Sequence, residues 1–403
     1  MQTVYLDANA TTRPSPEVCD AVDRANRELW GNPSSVHRFG QQVRQQVELA
    51  RRQVAELLGG KPNEIVFTSG GTESNNLAIR GVLDRSSGEA PATLITSRVE
   101  HSAVREPAEA AGRRGVCPVW VPVDGDGVVD VAAVADAARE APGVTLVSVQ
   151  WANNETGTIQ PIAEIVNALV EVNATRRERS LPAALFHVDA TQAAGKLPID
   201  VKEVPVDLLT VASHKFYGPK GVGALYIRRG VRLMPQNIGG PQEIDRRGGT
   251  EYVPGILGMG VAAEQSATFL TDRDAIARVT SLRDRFEAEV RAAVPTVLVN
   301  AEDAKHGRLW NTSNLAFPSI EAEAILLGLS ERGVFASAGA ACSSGSLEPS
   351  PVLLAMGMDE PRAHGSVRFS LSRTTTSDDI DAAVPVLTEV LARLSSTLPM
   401  GSP

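Results

Sequence analysis

Apolar positions along this chain repeat with two periods, and the switches between them mark its elements. Val18, Val22, Ala25 and Leu29 share one helical face, with Ser15 as a cap and Pro16 in the first turn, and predict a helix over 15–30. Val43, Val47, Ala50, Val54 and Leu57 predict a second over 38–58. The pattern then shortens. Ile65-Val66-Phe67-Thr68 is a compact apolar run entering a glycine turn, and similar runs stand at 93–97, 116–121, 144–151 and 184–188. Helical spacing fills the intervals near 73–83, 101–114, 130–141 and 161–172. Such alternation predicts a mostly parallel sheet with helices on both faces. The runs 208–212 and 222–227 continue it across a glycine-rich connection.

After about Pro254 the character changes. Helical patterns over 255–270 and 274–293 lead to short apolar runs at 296–299 and 313–317. A helix over 320–332, an Ala/Ser/Gly-rich loop over 336–347, a strand at 367–371 and a helix over 377–395 follow. This predicts two units: a large α/β domain over 15–255, and a smaller α+β domain over 256–398 that residues 1–14 join. Residues 86–92 and 174–183 read as polar surface connectors.

Composition narrows the partners. The net charge of −9 on 403 residues comes with no basic block, which argues against nucleic acid or an anionic membrane surface. The arginine pairs at 51–52, 113–114, 176–177 and 246–247 are scattered and read mostly as solvated helix faces or loop ends. No segment approaches the roughly 18 consecutive apolar residues of a membrane span. The chain runs directly into Val4-Tyr5-Leu6-Asp7 with no apolar leader, and a cytoplasmic location is expected. Cys19, Cys117 and Cys342 are few and far apart, against a disulfide framework or a Cys-x-x-Cys metal site, so no metal is expected. Cys19, in the first helix, and Cys117, in a strand, read as core fillers.

Three short segments carry candidate chemistry. Ser69-Gly70-Gly71-Thr72-Glu73 follows a strand and opens a helix, where close backbone N–H groups favour an anion; an ordinary strand-to-helix turn would look the same. In Ser213-His214-Lys215, a lysine ends a strand before a Gly/Pro-rich turn. Partial desolvation there would free its amine for Schiff-base chemistry, the alternative being a surface lysine. In His187-Val188-Asp189-Ala190-Thr191-Gln192, an aspartate ends an apolar strand at the sheet edge where open α/β folds bind ligands. It would face a cation, such as the pyridinium nitrogen of pyridoxal 5'-phosphate, or cap a helix.

Taken together these segments resemble the class V, aminotransferase-fold pyridoxal-phosphate enzymes, and within them the NifS/IscS-type cysteine desulfurases. The resemblance runs from Tyr5–Thr12 through Gly31–Ser35, Thr68–Asn76, Glu100-His101, Asn153–Gly157, His187–Gln192, His214–Gly223 and Arg247–Thr250 to Cys342–Pro349 and Arg368–Leu371. It implies an α/β fold with an aminotransferase-type (fold type I) large domain and a smaller α+β domain. It also implies a role for each matching position. Lys215 would hold the cofactor, and Asp189 would pair with its ring nitrogen. His101 would stack on the ring and help move protons. Asn154 and Gln192 would bond the phenolic oxygen or the substrate, and Gly71, Thr72 and His214 would hold the phosphate. Thr250 would reach that phosphate from a neighbouring subunit, which implies a homodimer. Arg368 would clamp the substrate carboxylate, a task its planar fork of donors suits. One departure stands out: the family's phosphate-binding serine, two residues before the His-Lys pair, is here Ala212. Ser213 is one place later, on what should be the opposite strand face, so its role as a phosphate ligand is open.

Lys215 and its partners would equally serve transamination, β-elimination or racemisation, and a non-catalytic homologue is a further alternative. The segment Ala338–Ser350 narrows the choice. It is dense in small residues and matches the family's long loop, whose thiol, here Cys342, takes sulfur from L-cysteine as a persulfide and leaves L-alanine. A sulfur-acceptor protein, with an iron–sulfur scaffold among the options, would follow.

Overall fold

The computed structural model describes residues 3–86, 90–339 and 348–397. Strand β1 (Val4–Tyr5) precedes helices α1 (Pro16–Glu28) and α2 (Arg38–Leu57). Then come β2 (Ile65–Thr68), α3 (Gly71–Leu83), β3 (Thr93–Ser97), α4 (Ser102–Gly112), β4 (Cys117–Val121), α5 (Val131–Glu140), β5 (Thr145–Gln150), α6 (Ile162–Glu178), β6 (Leu185–Asp189), β7 (Leu208–Ala212) and β8 (Gly223–Ile227). Strands β2 to β8 form one sheet in the order β2-β8-β7-β6-β5-β3-β4. Only β8 runs antiparallel to its neighbours. The other strands therefore end along one edge.

Strand alternation explains why both faces are covered. Ile65, Phe67, Val147, Val149, Leu209 and Val211 point to a core shared with α1, α2, α5 and α6. Their neighbours Val66, Leu146 and Leu208 point to a core built with α3 and α4. A one-turn segment, α7 (Gln242–Asp245), winds left-handed at Glu243, Ile244 and Asp245. Its buried Glu243 carboxylate takes a two-pronged bond from Arg51, at 2.7 and 2.9 Å, and the Phe67 N–H at 2.9 Å.

The rest of the chain comprises α8 (Val253–Thr271), α9 (Arg273–Ala293), β9 (Leu298–Val299), β10 (Thr312–Ala316), α10 (Ala322–Glu331), β11 (Val334–Phe335), α11 (Pro351–Ala355), α12 (Glu360–His364), β12 (Ser366–Ser370) and α13 (Ser377–Thr397). Strands β12-β10-β9 form an antiparallel sheet, and β1 pairs with β11. A separate core gathers Val4, Leu6, Phe286, Leu315, Phe369 and Leu387.

Several expectations need correction. Val253, Ile256, Met259 and Ala262 of α8, which follow or border the expected boundary at 255/256, pack in the first core, while Phe269 near the end of α8 packs against the second. The connector expected over 174–183 is helical through Glu178. Arg51 and Arg176 are buried, not solvated, because each finds oxygen partners inside. Cys19 and Cys117 are exposed rather than core-filling. Cys19 lies beside the buried stripe of Val18 and Ala25, and Cys117 opens the edge strand β4.

Candidate active site

The strand ends on the common sheet edge, together with β12, line a cavity of about 810 Å³. Gly71, Thr72, His101, Asn154, Asp189, Gln192, His214, Lys215 and Arg368 all border it. Residues spread over nearly 300 positions of sequence thus converge on one space.

Asp189 ends β6. Its Oδ2 accepts from Asn75 Nδ2 at 2.7 Å and its Oδ1 from the Thr191 N–H at 2.9 Å. Both bonds fix the carboxylate while leaving lone pairs for a ligand. Lys215 closes a short turn after β7, and its ammonium donates to the Asn9 and Ala10 carbonyls at 2.7 and 2.8 Å. His101 caps α4: its Nδ1 accepts the Ala103 N–H at 3.0 Å, which in the neutral ring assigns the proton to Nε2. His214 Nδ1 lies 3.3 Å from Thr11 Oγ1. Burial lowers the His214 pKa to about 4, with Lys215, Lys220 and Lys196 adding repulsion, so this ring is neutral near pH 7.

At the start of α3, Gly70 has φ +151°, a conformation that suits glycine and brings the helix N-terminus to the cavity. A Cβ on Gly71 would lie 3.1 Å from Thr191 Oγ1 and 3.4 Å from Ala212 Cβ. Thr191 Oγ1 is buried with no hydrogen-bond partner among the described residues. An open helix terminus beside an unsatisfied hydroxyl is a cradle for an anion. Together with a reactive amine and an anchored carboxylate, it fits pyridoxal 5'-phosphate, with its phosphate, aldehyde and basic ring nitrogen.

Arg368, in the middle of β12, is buried. Its Nη1 donates to the Asn154 carbonyl at 3.0 Å and its Nη2 to Asp7 at 2.7 Å. Among the described residues its Nε–H has no hydrogen-bond partner, a donor left over for a carboxylate.

Two expected site residues stand apart, and a third lies outside the described residues. Ser213 does not border the cavity. Ala212 faces the cavity instead, and the next residue turns the other way, with Ser213 Oγ packed against Gly218. Thr250 is exposed and does not border the cavity of its own chain. Cys342 lies outside the described residues, yet Gly339 before it and Glu348 after it both line the cavity.

Several groups were given no role by the motif reading, Glu100 and Glu155 inside quoted motifs and Lys196 outside them. Glu100 lines the cavity fully buried; burial pushes its pKa up to about 8, the Gln150 N–H opposes the rise and Asp189 adds to it. Glu155 accepts from Ser350 Oγ at 2.6 Å. Lys196 is buried next to Gln192. Its signal was a lone lysine inside Ala193-Ala194-Gly195-Lys196-Leu197, a run too apolar for a solvated face.

Residues 4–383 match the family described as Aminotransferase class-V. A cysteine desulfurase of Trichormus azollae is 46% identical over 399 residues, spanning 99% of this chain and 95% of that protein. The cysteine desulfurase NifS of Azotobacter vinelandii is 43% identical, spanning 100% and 96%. A solved NifS-like protein superposes with a TM-score of 0.87 at 34% identity, covering 98% of this chain and all of that one.

Proposed function

Since this chain belongs to the class-V aminotransferase family, we propose that its cavity removes sulfur from L-cysteine and passes it to Cys342. The observation that carries this reading is the convergence in one cavity of Lys215, Asp189 and Arg368 with both flanks of the Cys342 segment.

Pyridoxal 5'-phosphate would be held by Lys215, with Gly71, Thr72 and His214 at the phosphate, Asp189 at the ring nitrogen and Asn154 and Gln192 at the phenolic oxygen. When bound, it supplies an electron-withdrawing ring that acidifies the substrate Cα. Arg368 holds the substrate carboxylate through its fork of donors. Lys215 takes the Cα proton, and the Nε2–H of His101 is the donor that returns one. The Cys342 thiolate forms an S–S bond to the substrate sulfur as the Cβ–S bond breaks. The remaining carbons take up a proton and leave as L-alanine.

We further propose a homodimer in which the partner's Thr250 completes the phosphate site. Exposed Ile244 and Tyr252 flank Thr250, an apolar surface that a second subunit would cover. A protein, such as an iron–sulfur scaffold, then collects the sulfur. Among the described residues no helix is long and apolar enough to cross a membrane. The cytoplasm, where thiols stay reduced, is the compartment this chemistry suits.

Incubating the cofactor-loaded protein with L-cysteine should yield alanine and protein-bound sulfane sulfur in equal amounts. Cys342→Ala should keep the cofactor's visible band and lose both products by roughly 100-fold or more. Lys215→Ala should lose the borohydride-sensitive band. Pyruvate and ammonia in place of alanine, or normal turnover by Cys342→Ala, would refute the assignment.

A further inference from the structure

We propose that Lys196 is a positioning residue, which fixes the Gln192 amide and, through the Asn9 carbonyl, the seat of the Lys215 amine. The proposal rests on the reading of Lys215 as the cofactor lysine.

Lys196 follows β6 in a tight turn, and its side chain is buried. Its ammonium donates to Gln192 O at 3.1 Å and to Gln192 Oε1 at 3.0 Å. Among the described residues it makes no ion pair. A buried amine with only neutral acceptors is unfavourable compared with an apolar side chain of the same length. Burial, with repulsion from Lys215 and Arg368, accordingly lowers its pKa to about 7. Its backbone is held from the second core, where Trp310 Nε1–H donates to the Lys196 carbonyl at 2.8 Å.

The consequence lies in Gln192. Its Oε1 accepts from Lys196, and its Nε2–H donates to the Asn9 carbonyl at 2.9 Å. A protonated lysine can only donate and a carbonyl can only accept, so an amide between them has one permitted orientation. The same Asn9 carbonyl receives the Lys215 ammonium at 2.7 Å. Lys196, Gln192, Asn9 and Lys215 thus form one chain of hydrogen bonds, in which the amide that faces the cavity is set from behind. Without the Lys196 donor, the Gln192 oxygen is left buried and unsatisfied, and only the Asn9 carbonyl still holds the amide.

The test is a double-mutant cycle in the pyridoxal-phosphate-loaded full chain: Lys196→Met, Gln192→Leu and both together. The readout is visible circular dichroism of the bound cofactor at pH 6, where the Lys196 amine is largely charged and can only donate. Melting temperature is recorded alongside. Lys196→Met is expected to lower the signal about two-fold without lowering the melting temperature, and to cause no further loss in the Gln192→Leu background. Lys196→Gln, which keeps an N–H donor, should retain most of the signal, and this variant carries the test if Lys196→Met does not fold. An unchanged signal in Lys196→Met, additive losses in the double variant, or Lys196→Gln as low as Lys196→Met would each overturn the proposal. A wild-type chain that binds no cofactor would instead overturn the reading of Lys215, so the two failures are distinct.

Discussion

Glu100 shows what a single buried carboxyl does to this site. Its Oε1 accepts from the Gln150 N–H at 3.0 Å and Ser97 Oγ at 3.2 Å, while Oε2 is buried without a partner. With burial raising its pKa from 4.5 to about 8, it is neutral at pH 7 and does not add a second negative charge beside Asp189. The folded protein then keeps a proton that the unfolded chain releases between pH 4.5 and 8. Its stabilising contribution is whole below the unfolded value and is lost as pH rises through 8. Relative to Glu100→Gln, the wild-type melting temperature should therefore fall from pH 5 to about pH 8 and level off above it; a constant difference would contradict a raised pKa. Asp189, which ends β6, and Lys215, which closes the turn after β7, were candidates in sequence because both lie beside a turn, and the family resemblance chose between their alternatives. Glu100 was seen only as part of a motif, since nothing local states how deeply a residue is buried.

Among the elements, α6 shows how one side chain closes a layer. Arg176 donates to the carbonyls of Ala138, Ala141, Gly143 and Pro182, and to Thr145 Oγ1. It thereby satisfies the end of α5 and ties it to the start of β5. Arg176→Ala should cost roughly 3 kcal/mol, because several buried acceptors lose their donor together. A urea titration measures this, and activity per folded molecule should be unchanged, as Arg176 is remote from the cavity lining. The sequence showed the arginine pair and the polar stretch after it. An arginine serving distant carbonyls looks the same in sequence as one facing solvent, so both the burial and the helix end were misread.

Across the whole molecule, Asn9 joins the two sheets. Its N–H donates to Ser370 Oγ, and its side chain bonds the Asn154 carbonyl, Thr312 Oγ1 and Asn311 Nδ2. Asn154, whose carbonyl also takes Arg368, therefore sits at the junction. Asn9→Ala should lower stability by about 2 kcal/mol and raise the KM for L-cysteine several-fold through a loosened Arg368. Steady-state kinetics alongside chemical denaturation separates the two effects, and an unchanged KM would show that Arg368 is held without it.

The periodicity of apolar residues by itself determined the order of helices and strands, because each element must bury one face whatever its neighbours are. Asp189, Lys215 and the glycine turn at Gly70-Gly71 were local candidates, since each lies beside a turn at a strand end, while their roles came from the family resemblance. Only the tertiary structure decided that Arg368, from the small sheet, meets them, and that Ala212 rather than Ser213 faces the cavity. It alone showed that Lys196 stands behind Gln192. These facts depend on which surfaces pack together, and desolvation and hydrogen-bond partners come from segments too distant in the chain for any local pattern to record.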